Sequence, residues 1–241
     1  MKLLLITGGS RGLGRALCEE FQLRDYKILE FSRSAPHEYS IRIDLADPEK
    51  SRLIVANAIQ PMDSSQLQEL IVINNAGTLE PIGPTSGKPY SDLMKNMNTN
   101  YVSAVLVLTE IITKFQAAAC RKVIVNISSG AALKGRAGWS LYCAAKAGME
   151  NFIRALALEQ KAQPQPFIPI NIDPGVIDTE MQALIRETPP ADFPELERFV
   201  QLKKQGSLVP PDKVAAAIIR ILEQDSLSFG GRYETSNYGD Q

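Results

Sequence analysis

The chain has 241 residues, 44% hydrophobic and 22% charged, with a net charge of −1 at pH 7 and an isoelectric point near 6.0. This composition predicts a soluble globular protein. A nearly neutral chain has no overall field that would attract nucleic acid or an acidic membrane, and no apolar run approaches the roughly 20 residues of a membrane span.

Cysteine and histidine usage excludes several kinds of site. Cys18, Cys120 and Cys143 have neither metal-site nor disulfide spacing, which predicts a reducing, cytoplasmic location. His37 is the only histidine, so a histidine-based catalytic triad and a histidine-rich metal site are excluded. We expect no bound metal.

The beginning of the chain predicts a strand, a glycine-rich turn and a helix. Lys2–Thr7 is a short apolar run, Arg15–Leu23 has helical spacing, and the turn between them contains Gly8, Gly12 and Gly14. These glycines would allow a tight turn and close approach of the backbone to a pyrophosphate at the helix N-terminus. A glycine-rich segment can be a turn and nothing more, but this position favours a dinucleotide site.

The second predicted strand, Lys27–Phe31, ends in Ser32 and Arg33. In dinucleotide-binding folds an acidic residue here binds the ribose 2′-hydroxyl, whereas an arginine accommodates a 2′-phosphate. The sequence has no acid at that point, and Arg11 lies in the glycine-rich turn. Two solvated surface arginines are the alternative, but together they predict NADP(H) as the cofactor.

Further strands and helices alternate along the chain, which predicts one α/β domain over residues 1–241 with a mostly parallel sheet. The remaining predicted strands are Ile41–Asp44, Glu69–Ile73, Lys122–Ile127, Phe167–Ile172 and Gly230–Glu234, and the predicted helices include Pro48–Ile59, Ser91–Phe115 and Lys213–Glu223. Pro169 is unfavourable inside a strand. Residues 179–211 interrupt the alternation. They contain five prolines and a charged amphipathic segment, and we expect a substrate lid there.

Tyr142 and Lys146 stand four residues apart where a helical pattern begins. On a helix these positions are neighbours, so the ammonium would favour the phenolate and lower a tyrosine pKa that is about 10 in free solution. Ser129 follows the strand Lys122–Ile127, which would bring its hydroxyl near the phenol. This arrangement suits protonation of a reduced carbonyl. The alternative is a packed ring beside a solvated lysine.

Together these motifs resemble the short-chain dehydrogenase/reductase family over nearly the full chain. The matching segments are T-G-x3-G-x-G at Thr7–Gly14, Asp44, N-N-A-G at Asn74–Gly77, Asn100, Ser129, Y-x3-K at Tyr142–Lys146, and P-G-x3-T at Pro174–Thr179. The resemblance implies a Rossmann-type α/β fold, with a doubly wound parallel sheet of about seven strands in the order 3-2-1-4-5-6-7 and helices on both faces.

The resemblance also implies a catalytic set of Asn100, Ser129, Tyr142 and Lys146. Tyr142 would donate the proton, Ser129 would orient the carbonyl, Lys146 would hold the nicotinamide ribose, and Asn100 would anchor a water chain. Because Ser103 stands where the family usually has glycine, Asn98 remains an alternative to Asn100. The implied cofactor site comprises Gly8, Ser10, Arg11, Gly12, Leu13, Gly14, Ser32, Arg33, Asp44, Leu45, Asn75, Ala76, Gly77, Tyr142, Lys146, Pro174, Gly175, Ile177 and Thr179.

From Trp139 onward the chain is similar to sepiapterin reductases and bacterial benzil reductases, as in G-W-S-L-Y-C-A-A-K-A-G and D-P-G-V-I-D-T-E-M-Q-A-L-I-R-E-T. This similarity implies NADPH-dependent reduction of a ketone or 1,2-dicarbonyl compound, with a sepiapterin-type pterin reductase as the alternative. Candidate substrate contacts are Trp139, Met181 and Glu234, the last because pterin reductases use an acid near the C-terminus. An exposed glutamate on an edge strand is the other interpretation of Glu234. A non-catalytic NADP(H)-binding redox sensor is a third hypothesis, which the intact catalytic set argues against.

Two helices predict self-association. Apolar residues on the Ser91–Phe115 helix and on the helix after Tyr142 exceed what one buried face requires, and in the family these helices pair across a two-fold axis. The residues concerned are Val102, Val105, Leu106, Leu108, Met149, Phe152, Ile153 and Leu156. We expect a homodimer or homotetramer.

Overall fold

The computed structural model describes residues 1–239, and its seven strands form one parallel sheet. The strands are β1 Lys2–Thr7, β2 Tyr26–Ser32, β3 Ser40–Arg42, β4 Glu69–Asn74, β5 Arg121–Ile127, β6 Ile168–Asp173 and β7 Arg232–Glu234. The helices are α1 Gly12–Gln22, α2 Pro48–Ile59, α3 Tyr90–Met97, α4 Ser103–Phe115, α5 Ser140–Lys161, α6 Glu180–Glu187, α7 Leu196–Lys204 and α8 Pro211–Leu222. The sheet order is β3-β2-β1-β4-β5-β6-β7, which confirms the predicted fold class.

Apolar layers cover both faces of the sheet, and β1 shows how the sequence produces them. Leu4 and Ile6 pack against residues of α1 and α8, whereas Leu3 and Leu5 pack against residues of α2, α4 and α5. Successive side chains of a strand point to opposite faces, so a continuously apolar strand is buried on both sides.

The position of Pro169 in β6 is compatible with the sheet. Its carbonyl accepts a hydrogen bond from the N–H of Gly230 at 2.8 Å. The N–H and C=O of a strand residue point to the same side of the strand. The N–H that Pro169 lacks would therefore face the segment before β7 and not β5. Pairing with β7 begins only at Asn171 and Arg232, and β6 therefore loses no bond to β5.

The predicted helix over Ser91–Phe115 is correct in extent but not uniform. A π-helical turn at Asn98–Val102 separates α3 from α4. Beside this turn, Asn98 Nδ2 donates to the carbonyl of Ala46 at 3.0 Å and Ser103 Oγ donates to that of Leu45 at 2.6 Å. These bonds attach the turn to the loop after β3. A π-helical turn shifts the side chains that follow it, which helical periodicity alone does not anticipate.

The strand β3 is shorter than predicted and the expected lid is helical. β3 ends at Arg42 because its pairing with β2 ends where Ser32 faces Arg42. Residues 179–211 contain α6 and α7, which follow the carboxyl end of β6. No helix within residues 1–239 is both long enough and apolar enough to cross a membrane.

Half of the apolar residues that suggested self-association belong to the core of the protomer. Those buried in the core are Leu108, Met149, Ile153 and Leu156. Val102 is exposed, and Val105, Leu106 and Phe152 are half-buried. The apolar surface available to a partner is therefore smaller than the sequence suggested, and assembly stays a prediction.

Candidate active site

The glycine-rich turn after β1 forms the first wall of the site. A Cβ on Gly8 would lie 2.9 Å from the Cα of Ala76, and one on Gly14 would collide with the carbonyl of Gly8. α1 begins at Gly12, and the side chain of Arg11 at its N-cap makes no capping hydrogen bond. The uncapped helix N-terminus beside a glycine-lined backbone fits the pyrophosphate of a dinucleotide.

The end of β4 is bound to the end of β1. Asn75 Nδ2 donates to the carbonyl of Gly8 at 2.9 Å, and Thr7 Oγ1 accepts from the N–H groups of Asn75 and Ala76 at 3.2 Å each. These contacts fix Ala76 and Gly77 beside the glycine-rich turn, as the predicted cofactor site requires.

Other predicted cofactor residues lie on the loops at the same sheet edge. A Cβ on Gly12 would lie 3.2 Å from Thr179 Cγ2, which brings the P-G-x3-T segment against the glycine-rich turn. Asp44 is exposed and accepts from the N–H of Ala46 at 3.1 Å. The remaining residues of the set are located as follows: Ser10 and Leu13 in the turn and first turn of α1, buried Leu45 after β3, Pro174 and Gly175 after β6, and Ile177 in a bridge with Val209.

The predicted position for a 2′-phosphate contains an acid that sequence reasoning missed. Glu30 is fully buried and accepts from the N–H of Gly9 at 2.9 Å and from Ser32 Oγ at 3.1 Å. The proton of the Ser32 hydroxyl is therefore already donated within the protein. Arg33 is exposed, and Arg11 forms an ion pair with Glu180 at the start of α6. The presence of an acid inside the otherwise apolar β2 was the sequence feature that could have revealed Glu30.

Asn100 is brought to the site, whereas Asn98 is not. Asn100 is buried; its Nδ2 donates to the carbonyl of Thr78 at 2.8 Å and its Oδ1 accepts from the N–H of Thr78 at 2.8 Å. A Cβ on Gly77 would lie 3.2 Å from Asn100 Oδ1 and 3.9 Å from Lys146 Nζ. Asn98 instead holds the loop after β3.

Ser129, Tyr142 and Lys146 lie together where β5 ends and α5 begins. Ser129 Oγ accepts from the N–H of Ala131 at 3.1 Å, and Tyr142 and Lys146 occupy the first two turns of α5. Tyr142 is 8% exposed and Lys146 5% exposed. Lys146 Nζ donates to the carbonyl of Ile127 at 2.7 Å and lies 5.6 Å from the centroid of the Tyr142 ring.

Burial dominates the protonation equilibria of this pair. It raises the pKa of Tyr142 to about 12, and a hydrogen bond with Ser129 acts in the opposite direction. It lowers the pKa of Lys146 to about 8, opposed by the charges of Asp173 and Glu150. The expectation of a Tyr142 pKa below its ordinary value is wrong for this structure, because burial outweighs the influences that favour the phenolate.

Tyr142 belongs to a buried cluster that contains three further aromatic side chains. Trp139 stacks on Phe193 with ring centroids 4.6 Å apart, and its centroid lies 5.4 Å from that of Phe199 and 5.9 Å from that of Tyr142. Met181 is half-buried against the same cluster. Trp139 and Met181 were predicted, but Phe193 and Phe199 were missed, because their spacing in the proline-rich segment matches no helical or strand period.

Glu234 does not join this cluster. Its carboxylate is half exposed on β7 and accepts from Arg232 Nη1 at 2.6 Å. The structure therefore does not bring it together with Trp139 and Met181, the other two predicted substrate contacts.

Comparison with known proteins decides the family. The family model described as short chain dehydrogenase matches residues 2–190. The chain belongs to the short chain dehydrogenase family. These enzymes are oxidoreductases that bind a nicotinamide cofactor, and the glycine-rich turn and uncapped α1 described above fit such a group.

Individual relatives of this short chain dehydrogenase cover almost the whole chain. A benzil reductase ((S)-benzoin forming) of Bacillus subtilis is 35% identical over 230 residues, covering 93% of this chain and 94% of that protein. A sepiapterin reductase of Rattus norvegicus is 30% identical over 253 residues, covering 95% and 94%. The solved structure of ElxO with NADP bound has a TM-score of 0.76 and 25% identity, covering 97% of this chain and 96% of that one.

Proposed function

We propose that this short chain dehydrogenase reduces a ketone that has an adjacent carbonyl to a secondary alcohol, with NADPH as cofactor. The observation that carries the proposal is the half-buried Ser129 beside buried Tyr142 and Lys146, with Tyr142 packed in an aromatic cluster. When bound, NADPH would supply the hydride. The groups that would hold it are the glycine-rich turn, the Asn75–Gly77 segment, Lys146 and the loop after β6.

Tyr142 is proposed as the proton donor and Ser129 as the second hydrogen-bond donor to the carbonyl oxygen. As negative charge develops on that oxygen, the phenol transfers its proton and the serine hydroxyl stabilises the charge. Because Tyr142 is buried, its contact with the oxygen would be stronger than in solution. The side-chain amide of Asn100 bonds through its Oδ1 and its Nδ2 to the backbone of Thr78, and would keep the segment after β4 in place near Lys146.

The aromatic cluster supports an aryl-substituted substrate. Trp139 lies beside the phenol ring and packs on Phe193 and Phe199, and aromatic pairs contribute about 0.5–1.5 kcal/mol beyond area burial. A diaryl 1,2-diketone such as benzil, the compound named for the Bacillus relative, has the matching chemistry. Because Tyr142 is only 8% exposed within this cluster, we propose that the segment carrying Phe193 and Phe199 moves to admit the substrate.

NADPH rather than NADH is supported by two arginines, Arg33 just after β2 and Arg11 in the glycine-rich turn. Arg33 is exposed, and the N-cap residue Arg11 is held by Glu180. With the Ser32 hydroxyl engaged by Glu30, these guanidinium groups are the donors we assign to a 2′-phosphate.

A sepiapterin-type pterin reductase is the second candidate, favoured by the rat relative at 30% identity. Its expected acidic anchor, Glu234, is engaged by Arg232, which makes it the weaker candidate. In this case Glu234→Ala would selectively abolish turnover of the pterin.

The test is a carbonyl panel assayed with NADPH and with NADH. It should include benzil, an aliphatic 1,2-diketone, a simple aryl ketone and sepiapterin. We expect turnover of benzil with NADPH and a smaller rate for the simple ketone. Preferred turnover of sepiapterin would support the second candidate. NADPH binding without turnover of any carbonyl would overturn both and leave the redox sensor.

A further inference from the structure

One guanidinium, that of Arg232 on β7, joins three elements at the candidate active site. Its Nε donates to Glu150 Oε1 at 3.0 Å, its Nη2 to Asp173 Oδ2 at 2.7 Å and its Nη1 to Glu234 Oε1 at 2.6 Å. Glu150 lies on α5 and Asp173 ends β6. The cation therefore lies where α5, β6 and β7 meet.

Glu150 is the most deeply buried of these carboxylates, with 1% of its side chain exposed. Besides Arg232 it accepts from Ser128 Oγ and Arg154 Nη2, each at 2.6 Å. A buried carboxylate remains charged only when cations and hydrogen-bond donors compensate it. Because Ser128 directly precedes Ser129, the same carboxylate also fixes the end of β5.

Both acids held by Arg232 lie close to the catalytic pair. Glu150 follows Lys146 by four residues on α5, so the two share a helix face. A Cβ on Gly130 would lie 3.8 Å from Asp173 Oδ2, which places Asp173 beside the turn that begins at Ser129. Asp173 and Glu150 raise the pKa of Lys146 against the larger effect of burial.

The titratable and charged groups around the pair come from three elements. The phenol of Tyr142 is influenced by Asp173 and by the thiol of Cys143, and the ammonium of Lys146 by Asp173 and Glu150. Arg154 and Glu234 contact this set at its outer side. Arg232 is the cation that contacts both acids facing Lys146.

We propose that Arg232 is a positioning residue for Lys146 and Tyr142, which holds Asp173 and Glu150 in place and offsets their charge at the catalytic pair. Arg232 itself touches neither catalytic side chain in this role. The effect of Arg232 on Lys146 is electrostatic, so its removal and the removal of an acid should act in opposite directions. Removing the cation strengthens the negative field at Lys146, whereas removing the charge of Asp173 weakens it.

The direct test is the titration of Lys146 by NMR in the cofactor-free protein labelled with ¹³C-lysine, with Lys146→Met identifying its signal. The wild-type midpoint is expected near 8. Arg232→Gln should raise the midpoint and Asp173→Asn should lower it, each by about one pH unit, the order expected for a charge at close range. Arg232→Lys, which keeps the charge, should stay closer to the wild type than Arg232→Gln.

A purely structural arginine would not produce shifts of opposite sign. Midpoints that stay at the wild-type value, or that move in the same direction in Arg232→Gln and Asp173→Asn, would overturn the proposal. Circular dichroism reports whether each variant folds. If Arg232→Gln does not fold, Asp173→Asn decides the matter, and an unchanged midpoint there refutes the role of the acids and of Arg232 with them.

Turnover provides a second measurement, which rests on the proposed function. The alkaline limb of kcat/KM for NADPH reports groups of the free enzyme and should move with the NMR midpoint in each variant. If the pH of the alkaline limb is unchanged in both variants while the NMR midpoint moves, the charge around Lys146 has no catalytic consequence. A wild-type protein that reduces no carbonyl would refute the proposed function, whereas the NMR titration would still decide on Arg232.

Discussion

Lys146 lies over the ring of Tyr142, with Nζ 5.6 Å from the ring centroid, and gives its hydrogen bond to the carbonyl of Ile127. The helical spacing brings the two side chains together, but burial determines which protonation states they prefer. Burial raises the pKa of the Tyr142 phenol above its ordinary value and lowers the pKa of the Lys146 ammonium below its ordinary value.

The buried ammonium should make stability depend on pH. The pKa of Lys146 is about 8 in the folded protein, below its ordinary value of 10.5, so between these pH values the unfolded chain binds more protons. The contribution of Lys146 to the free energy of unfolding therefore rises with pH across this window, by about 3 kcal/mol in total. The measurement is urea unfolding of the wild type and Lys146→Met from pH 7 to 10.5.

Relative to Lys146→Met, the wild type should be least stable at the low-pH end and should gain on the variant as pH rises. Lys161→Met removes an exposed lysine from the same helix and serves as the control. The assigned pKa shift would be contradicted if the difference in the free energy of unfolding between the wild type and Lys146→Met did not change from pH 7 to 10.5.

Cofactor preference should depend on Arg33. Charge-assisted hydrogen bonds contribute about 1.5–3 kcal/mol each, which implies at least tenfold preference for NADPH over NADH. Arg33→Ala should reduce the ratio of the two kcat/KM values by about tenfold. Arg15→Ala, which removes another exposed arginine whose partner is Glu19 at 2.8 Å, should leave the ratio unchanged. Equal efficiency of the wild type with both cofactors would refute the assignment.

Much of the fold could be predicted from local pattern. The apolar β1 followed by a glycine-rich turn indicated a buried parallel strand and a nucleotide site, and the sheet order follows from the family resemblance. Tyr142 and Lys146 could be paired because the i, i+4 relation is a property of the helix itself. Apart from the sheet order, these inferences need only the period of an element and its place in the chain.

Contacts between distant segments could not be predicted in this way. Glu30 interrupts an apolar strand, but its partner Gly9 and the engaged hydroxyl of Ser32 emerge only when the turn folds back over β2. The choice between Asn98 and Asn100 depended on a π-helical turn that no periodicity marks. The direction of the Tyr142 pKa shift depended on the burial of its side chain, which only the folded structure shows.

The aromatic cluster should discriminate between substrates. Phe193→Leu keeps an apolar side chain but removes the ring stacked on Trp139. We expect kcat/KM for benzil to fall by about tenfold, the order of one lost aromatic contact, while an aliphatic 1,2-diketone is affected much less. The two substrates act as controls for each other, because a general loss of folding lowers both values. Equal losses would show that the Phe193 ring supports Trp139 without contacting the substrate.

Self-association should follow from the apolar residues that the protomer leaves uncovered on α4, α5 and the turn before α4. Val102 is exposed, and Leu106 and Phe152 are half-buried. We expect at least a homodimer, with a homotetramer as the alternative, when mass is measured by light scattering at micromolar concentration. Leu106→Lys should shift the protein towards a monomer. A monomeric mass for the wild type would refute this expectation.

The most direct test of the account is the reductase activity of Tyr142→Phe with NADPH and the best substrate of the panel. If the phenol donates the proton, kcat should fall by roughly 10²–10⁴. NADPH affinity, measured by fluorescence titration, should remain nearly that of the wild type, because the ring still packs against Trp139. A Tyr142→Phe enzyme that retains a large share of wild-type turnover would contradict the account, because Tyr142 would then only pack against Trp139.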